Sequence, residues 1–197
     1  MNKKLLITLA ILAGLIILLM TYLVGAYNSM VTASQTVDSE WAQVQNVYQR
    51  RADLIPNLVA TVKGYAKHEN ETLVEVIKAR GAAVAQPMTQ QVPDQKSLNQ
   101  FEQNQSALSS ALSRLMVVVE RYPDLKANQN FMALQYELTG TENRITVERQ
   151  RFNDGVKDYN ILLQRFPGNV VAGMFHFAPK AYFVASQQAQ TVPQVSF

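Results

Sequence analysis

Cysteine is absent from the chain of 197 residues, which excludes disulfides, thiolate metal sites, thiol nucleophiles and lipidated cysteine together. There is no phosphate-binding glycine loop, no nucleophile elbow and no Ser, His and Asp set at motif spacing. Two-residue hydrophobic alternation is nowhere sustained, which excludes a sheet protein. Of the two histidines, His68 stands with Glu69, Glu71 and Glu75, the one cluster with metal-ligand chemistry. It lacks the second histidine at i+4 of the zinc helix motif and the Glu-x-x-His pairs of carboxylate bundle sites, so it reads as a surface cluster and no metal or cofactor is expected. His176, among aromatic residues, reads as an amphipathic interface residue. Excess positive charge is missing too. The formal charge is +3, but Lys3 and Lys4 supply two of those charges and the remainder holds 16 basic against 15 acidic residues. No nucleic-acid partner follows from such a balance.

What is present is a run from Leu5 to Gly25 without a charged residue, preceded by Lys3 and Lys4. At ~1.5 Å of rise per residue, about 20 residues cross the ~30 Å hydrocarbon core of a bilayer. Lipid offers backbone groups no partners, so a single such segment crosses as a helix. The alternative is a cleaved secretory signal, with Val24-Gly25-Ala26 as the cleavage site, although the apolar region of a signal is usually shorter, about 7 to 15 residues. No Lys or Arg follows the run until Arg50, so the positive-inside rule places the N-terminus in the cytoplasm and the body outside. Ala10, Gly14, Thr21 and Gly25 share one helical face at small-residue spacing, which either admits a second membrane helix or belongs to a solitary one.

Beyond residue 26 the apolar spacing is helical nearly throughout. Tyr27, Met30, Ser34, Val37, Trp41, Val44, Tyr48 and Arg51 step by three and four, the stripe of a helix continuous with the anchor. Asp53 as N-cap and Pro56 in a first turn predict a reversal there and a second helix starting near Leu54. That helix carries Ile55, Leu58, Val62, Tyr65 and Glu69, then slips by one residue to Leu73, Val76 and Arg80, with a break at His68-Glu69-Asn70. Residues 86–97 read as an exposed, mobile connection. Ser97 with Gln100 resembles a capping box for a third helix, carrying Leu98, Phe101, Gln105, Leu108, Leu112, Leu115, Val119 and Tyr122 and ending at Pro123. The fourth runs from Phe131 through Leu138, Thr141, Ile145, Glu148, Phe152, Tyr159 and Phe166 to Pro167-Gly168, with Gly140 as a potential bend.

The expected architecture is therefore all-α: a transmembrane anchor over 1–26, an antiparallel up-down four-helix bundle over 27–167, an apolar C-terminal segment over 168–185 and a disordered tail over 186–197. Three placements compete for the apolar segment: over the open end of the bundle, in the lipid interface, or against a neighbouring subunit.

Arg50-Arg51-Ala52-Asp53-Leu54-Ile55-Pro56-Asn57-Leu58, Gly64-Tyr65, His68-Glu69 and Ala79-Arg80 resemble the signature of the LemA family. Glu120-Arg121-Tyr122-Pro123, Leu125, Asn128, Leu134-Gln135, Glu142-Asn143, Ile145, Tyr159-Asn160 and Phe166-Pro167 agree in order, so the resemblance spans Tyr27 to Phe183. The aromatic-Asn pair of the family stands here as Phe152-Asn153, with Phe in place of the more usual Tyr. The resemblance implies a bacterial, membrane-anchored, long-helix bundle of unassigned activity and without a known catalytic residue.

Charged residues on stripes that otherwise bury apolar groups are the unusual positions: Arg51, Glu69, Arg80 and Glu148. A lone buried charge costs several kcal/mol, so these are expected to pair with one another or with Glu120, or to lie near water. Either they form a polar core layer that sets helix register, or they line a ligand or partner site. The functional expectation is a noncatalytic scaffold of the inner membrane, its body periplasmic, with the lipid bilayer, further copies of itself or another envelope protein as partners. A ligand-binding or sensory bundle is the alternative, and an enzyme using the Arg and Glu layer the third.

Overall fold

In the computed structural model, which describes residues 3–66, 68–85 and 91–184, the apolar run and the stripe after it share one helix, α1 (Lys3–Tyr65, 63 residues). At ~1.5 Å per residue it is about 95 Å long. The reversal expected at Asp53 and Pro56 does not occur, because α1 runs through Pro56 without ending. Proline at that position deprives the carbonyl four residues earlier, that of Ala52, of its helical N–H donor. Arg80 Nε donates to the Ala52 oxygen at 2.7 Å and replaces it. The chain turns instead after Tyr65, at the place where the hydrophobic stripe slips, and α2 (Asn70–Val84) follows.

The third helix, α3 (Gln95–Val119), starts earlier than its Ser97-Gln100 pattern suggests. Its cap is Asp94, whose carboxylate accepts from the Ser97 N–H at 2.7 Å and is thereby held below its ordinary pKa. Of the connection expected to be mobile, residues 86–90 lie outside the described residues, while Val92 is partly buried against the core. Pro123 opens a short α4 (Pro123–Lys126), in the first-turn position where a missing N–H costs little. The long α5 (Gln129–Gln164) begins at Asn128, whose side chain accepts from the Phe131 N–H at 3.1 Å, and passes Gly140 unbroken. A final short helix, α6 (Gly168–Met174), is followed at His176 by a left-handed φ of 58° that redirects the chain. Among the described residues there is no strand.

α1 packs against α5 and α2, and α2 against α3. Arg50 meets Glu137, Trp41 meets Phe152 and Met30 meets Gly168, so numbers rise along α5 as they fall along α1. The interior divides into two clusters. One, distal to the apolar run, is mostly aliphatic and holds Ile55, Leu58, Leu108, Leu115, Leu125 and Leu138. The other, nearer that run, is rich in aromatic rings and holds Trp41, Tyr48, Phe152, Tyr159 and Phe183. Residues 177–184, the last part of the apolar C-terminal segment, return as a non-helical strap against α1, α3 and α5. The expected disordered tail, 186–197, lies outside the described residues.

Candidate functional site

Between the two clusters lies a polar layer built from one residue of each long helix. On α1, Tyr48 belongs to the aromatic cluster and Ile55 to the aliphatic one, and Arg51 stands between them, 2% exposed. Gln105 on α3 and Thr141 on α5 occupy the same boundary and are also buried. Arg51 Nη1 donates to Glu142 at 3.0 Å and to the Ser109 hydroxyl at 3.1 Å, while Nη2 donates to the Gln105 side chain. Gln105 passes the chain of donors on to the Ala83 carbonyl of α2, at 3.1 Å. The guanidinium also lies 5.1 Å from the centre of the Tyr48 ring, whose hydroxyl is pushed above its usual pKa by burial. Four helices are thus tied through one cation.

The other charges singled out on the stripes take separate partners. Arg80 serves the Ala52 carbonyl. Glu69 accepts from the Tyr122 hydroxyl and pairs with Arg121, both at 3.1 Å, clipping the α1–α2 turn to the α3–α4 turn. Glu120 pairs with Lys126 at the surface, and Glu148 with Arg151 on its own helix. Arg51 therefore meets Glu142, which carries the pairing that the stripes suggested for another acid.

The strap groove was the least visible part of the sequence. Asn160 accepts from the Lys180 N–H at 2.9 Å and donates to the Lys180 carbonyl at 3.0 Å. One heptad earlier, Asn153 does the same for Phe183, at 2.9 and 3.0 Å. Seven helical residues span about 10.5 Å, which three residues of extended chain match at about 10 Å. Each side-chain amide thus stands in for a rung of backbone pairing, which non-helical chain against a helix otherwise lacks. The Tyr159 hydroxyl donates to the Ala178 carbonyl, and burial raises its pKa, with the Asp38 charge adding to the effect. Lys180 reaches Asp38 at 2.6 Å and the Ser34 carbonyl at 2.9 Å, a largely buried pin. Phe183 enters the cage of Trp41, Phe101 and Phe152. The Arg149 guanidinium covers its other side, 4.4 Å from the ring centre, and also pairs with Glu102. The heptad repeat of aromatic-Asn pairs, Phe152-Asn153 and Tyr159-Asn160, was the available signal.

On the apolar run of α1, Gly14 and Gly25 have nothing near the position a Cβ would take, and Thr21 turns its hydroxyl back to the Ile17 carbonyl at 2.8 Å. Ala10 is exposed like its neighbours. Among the described residues one helix is long and apolar enough to cross a membrane, and it is this one. On the body, a surface depression of about 340 Å³ is lined by Thr36, Glu40, Arg151, Asp154, Gly155 and Asp158. Burial raises the Glu40 pKa, and the charge of Asp154 adds to it. Among the described residues no group of His, Asp and Glu is arranged to hold a metal ion. Glu75, from the histidine cluster, is engaged by Arg114.

A family model described as the LemA family matches residues 40–197. Magnetosome protein MamQ 2 of Paramagnetospirillum magneticum is 26% identical over 174 residues, covering 80% of this chain and 64% of that protein. Magnetosome protein MamQ of Magnetospirillum gryphiswaldense is 26% identical over 192 residues, covering 89% and 71%. Protein LemA of Metamycoplasma hominis is 23% identical over 164 residues, covering 83% and 71%. The chain spans a little under two thirds of the first of these relatives.

Proposed function

The chain belongs to the LemA family, and on that premise we propose that it is a noncatalytic, single-pass membrane scaffold that assembles with copies of itself or holds another envelope protein. The observation that carries the reading is the division of α1. Its first part, from Leu5 to Tyr22, is apolar and, but for Gly14, exposed, whereas Leu23 and Ala26 pack against the edge of the core and from Met30 onward the same unbroken helix supplies core residues to the body. A rigid helix of this kind transmits the position of the anchor directly to the body, with no flexible linker between them. The run of contacts between α1 and α5, with α2 and α3 beside them, supports an antiparallel up-down arrangement of four helices. Lys3 and Lys4 ahead of the span support a cytoplasmic N-terminus and a periplasmic body at the inner membrane. Arg51, Arg80, Asn153 and Asn160 are engaged with structural partners, which favours a scaffold over an enzyme.

The test is particle mass in mild detergent, by mass photometry, for the full chain and for a chain starting at Tyr27. Large regular particles that require residues 1–26 are expected. Monomers from both chains would refute self-assembly and leave the partner-binding form, to be pursued by crosslinking in membranes.

A further inference from the structure

At the end of the body from which the anchor emerges, four large apolar side chains are left open to solvent: Phe166 at 82%, Val170 at 51%, Met174 at 58% and Phe175 at 48% exposure. Val170 and Met174 are one helical turn apart on α6, while Val171 and Ala172, on its other side, are buried against the body. From Phe166 to Pro179 the sequence has no Lys, Arg, Asp or Glu, and Arg165 and Lys180 flank it. Exposed apolar groups clustered in this way signal an interaction surface, not ordinary scatter.

The position along α1 identifies what covers them. Measured from Lys4, a hydrocarbon slab of ~30 Å takes up about 20 residues at ~1.5 Å each, so it ends near Val24. Tyr27 lies about 5 Å beyond that edge, and its ring meets those of Phe175 at 4.8 Å and Phe177 at 5.6 Å. Gly168, at the start of α6, packs on Met30, about 9 Å beyond the edge. The start of α6, at Met30, and Phe175 just past its end, at Tyr27, thus stand about 5–9 Å outside the hydrocarbon edge, level with a headgroup layer about 5–8 Å thick on each side, where amphipathic segments lie with their apolar side toward the acyl chains. Tyrosine is a residue favoured at that level.

We propose that α6, with Phe166 and Phe175, is a foot that inserts into the lipid interface on the body's side of the bilayer and fixes the angle at which the body stands. The inference rests on α1 being the membrane anchor. A helix crossing alone is free to tilt, whereas a second lipid contact beside it holds the body upright.

Because the chain lacks cysteine, single labels report each position without background. Met174→Cys, Phe175→Cys, Ile17→Cys and Tyr136→Cys, each in the full chain and each carrying an environment-sensitive fluorophore, are compared in phosphatidylcholine liposomes containing spin-labelled lipid with the nitroxide near the headgroup or deep in the acyl chain. Labels at 174 and 175 are expected to shift to the blue and lose most of their emission to the shallow quencher. The label at 17 should lose it to the deep quencher, and the label at 136 to neither. Emission at 174 and 175 like that at 136, with 17 still quenched, would overturn the foot while leaving the anchor standing. Labels at 174 and 175 shielded from aqueous iodide but untouched by lipid quenchers would place a second protein there, and would equally overturn it. If 17 were also unquenched, the anchor reading would fail and the foot with it.

Discussion

The two halves of the body solve the same packing problem with different material. In the distal half α1, α2, α3 and α5 close around aliphatic side chains, and the helices satisfy their own backbone except at the Ala52 carbonyl, which Pro56 leaves to Arg80. In the proximal half α2 is missing, since its 15 residues reach only about 22 Å. The strap covers the exposed side there, and at ~3.3 Å per residue eight residues of it do the work of a far longer helix. That economy leaves backbone N–H and C=O groups without helical partners. Asn153, Asn160, Tyr159 and Gln95 supply them, and the broad faces of Trp41, Phe101 and Phe152 fill the width that a fourth helix would have occupied. A core roofed by extended chain therefore needs side-chain amides at heptad spacing and aromatic bulk, neither of which the aliphatic half requires.

Arg51 joins the halves, so its removal should be felt in both. Arg51→Ala leaves a cavity and strands the Gln105 amide, and a loss of about 3–5 kcal/mol is expected. Urea unfolding checks the size, and hydrogen exchange should show amides beside Tyr48 and beside Ile55 losing protection together. Confinement of the loss to one half would break the idea of a shared layer. Next in size is Phe183→Ala, at about 3 kcal/mol. Its effect should be one-sided: α5 amides near Phe152 and Tyr159 lose protection, while those near Leu138 keep it. Equal loss on both sides would show that the strap is no separate roof.

Much of this was legible beforehand, and the failures have physical causes. Helical spacing located the long elements because each buries one continuous stripe, and the stripes even held Gln105 and Thr141, whose polarity marks the boundary layer. The charged residues drew attention instead, yet only Arg51 among them is fully buried, since Glu69, Glu120 and Glu148 find partners at or near the surface. Pro56 sits inside α1 although its local chemistry favours a helix start, because the compensating donor, Arg80, arrives from another helix. The strap was invisible to periodicity, because its partners are set by non-helical chain lying against a helix.

The distal half makes its own test of long-range compensation. If Arg80 stands in for the N–H that Pro56 lacks, Arg80→Met should cost about 1–3 kcal/mol by leaving the Ala52 carbonyl unsatisfied. In a Pro56→Ala background, where the helix again supplies that N–H, the same substitution should cost little. The double-mutant cycle isolates the coupling, and additive losses would mean that Arg80 acts through something other than the carbonyl.

The smallest expected effect belongs to the proximal half and has the opposite sign. Glu40 Oε2 is buried without a hydrogen-bond partner, lying over Gly155 where a Cβ would collide with it. Burial, then Asp154 and Asp158, hold its pKa above the ordinary carboxylate value, with Arg151 pulling the other way. The folded state therefore binds this proton more tightly than the unfolded chain does. Stability from Glu40 is fully present below the ordinary glutamate range and is lost as pH rises through the raised value, the reverse of an ion-paired acid. Glu40→Gln should stabilise the protein near neutral pH by a few tenths of a kcal/mol, about 1 °C in Tm, and the gain should vanish in acid. Thermal melts at two pH values decide it. A Tm that falls on substitution at neutral pH would mean that Glu40 earns a partner in the assembled protein, and the proximal half would then hold a charged contact as well as its aromatic roof.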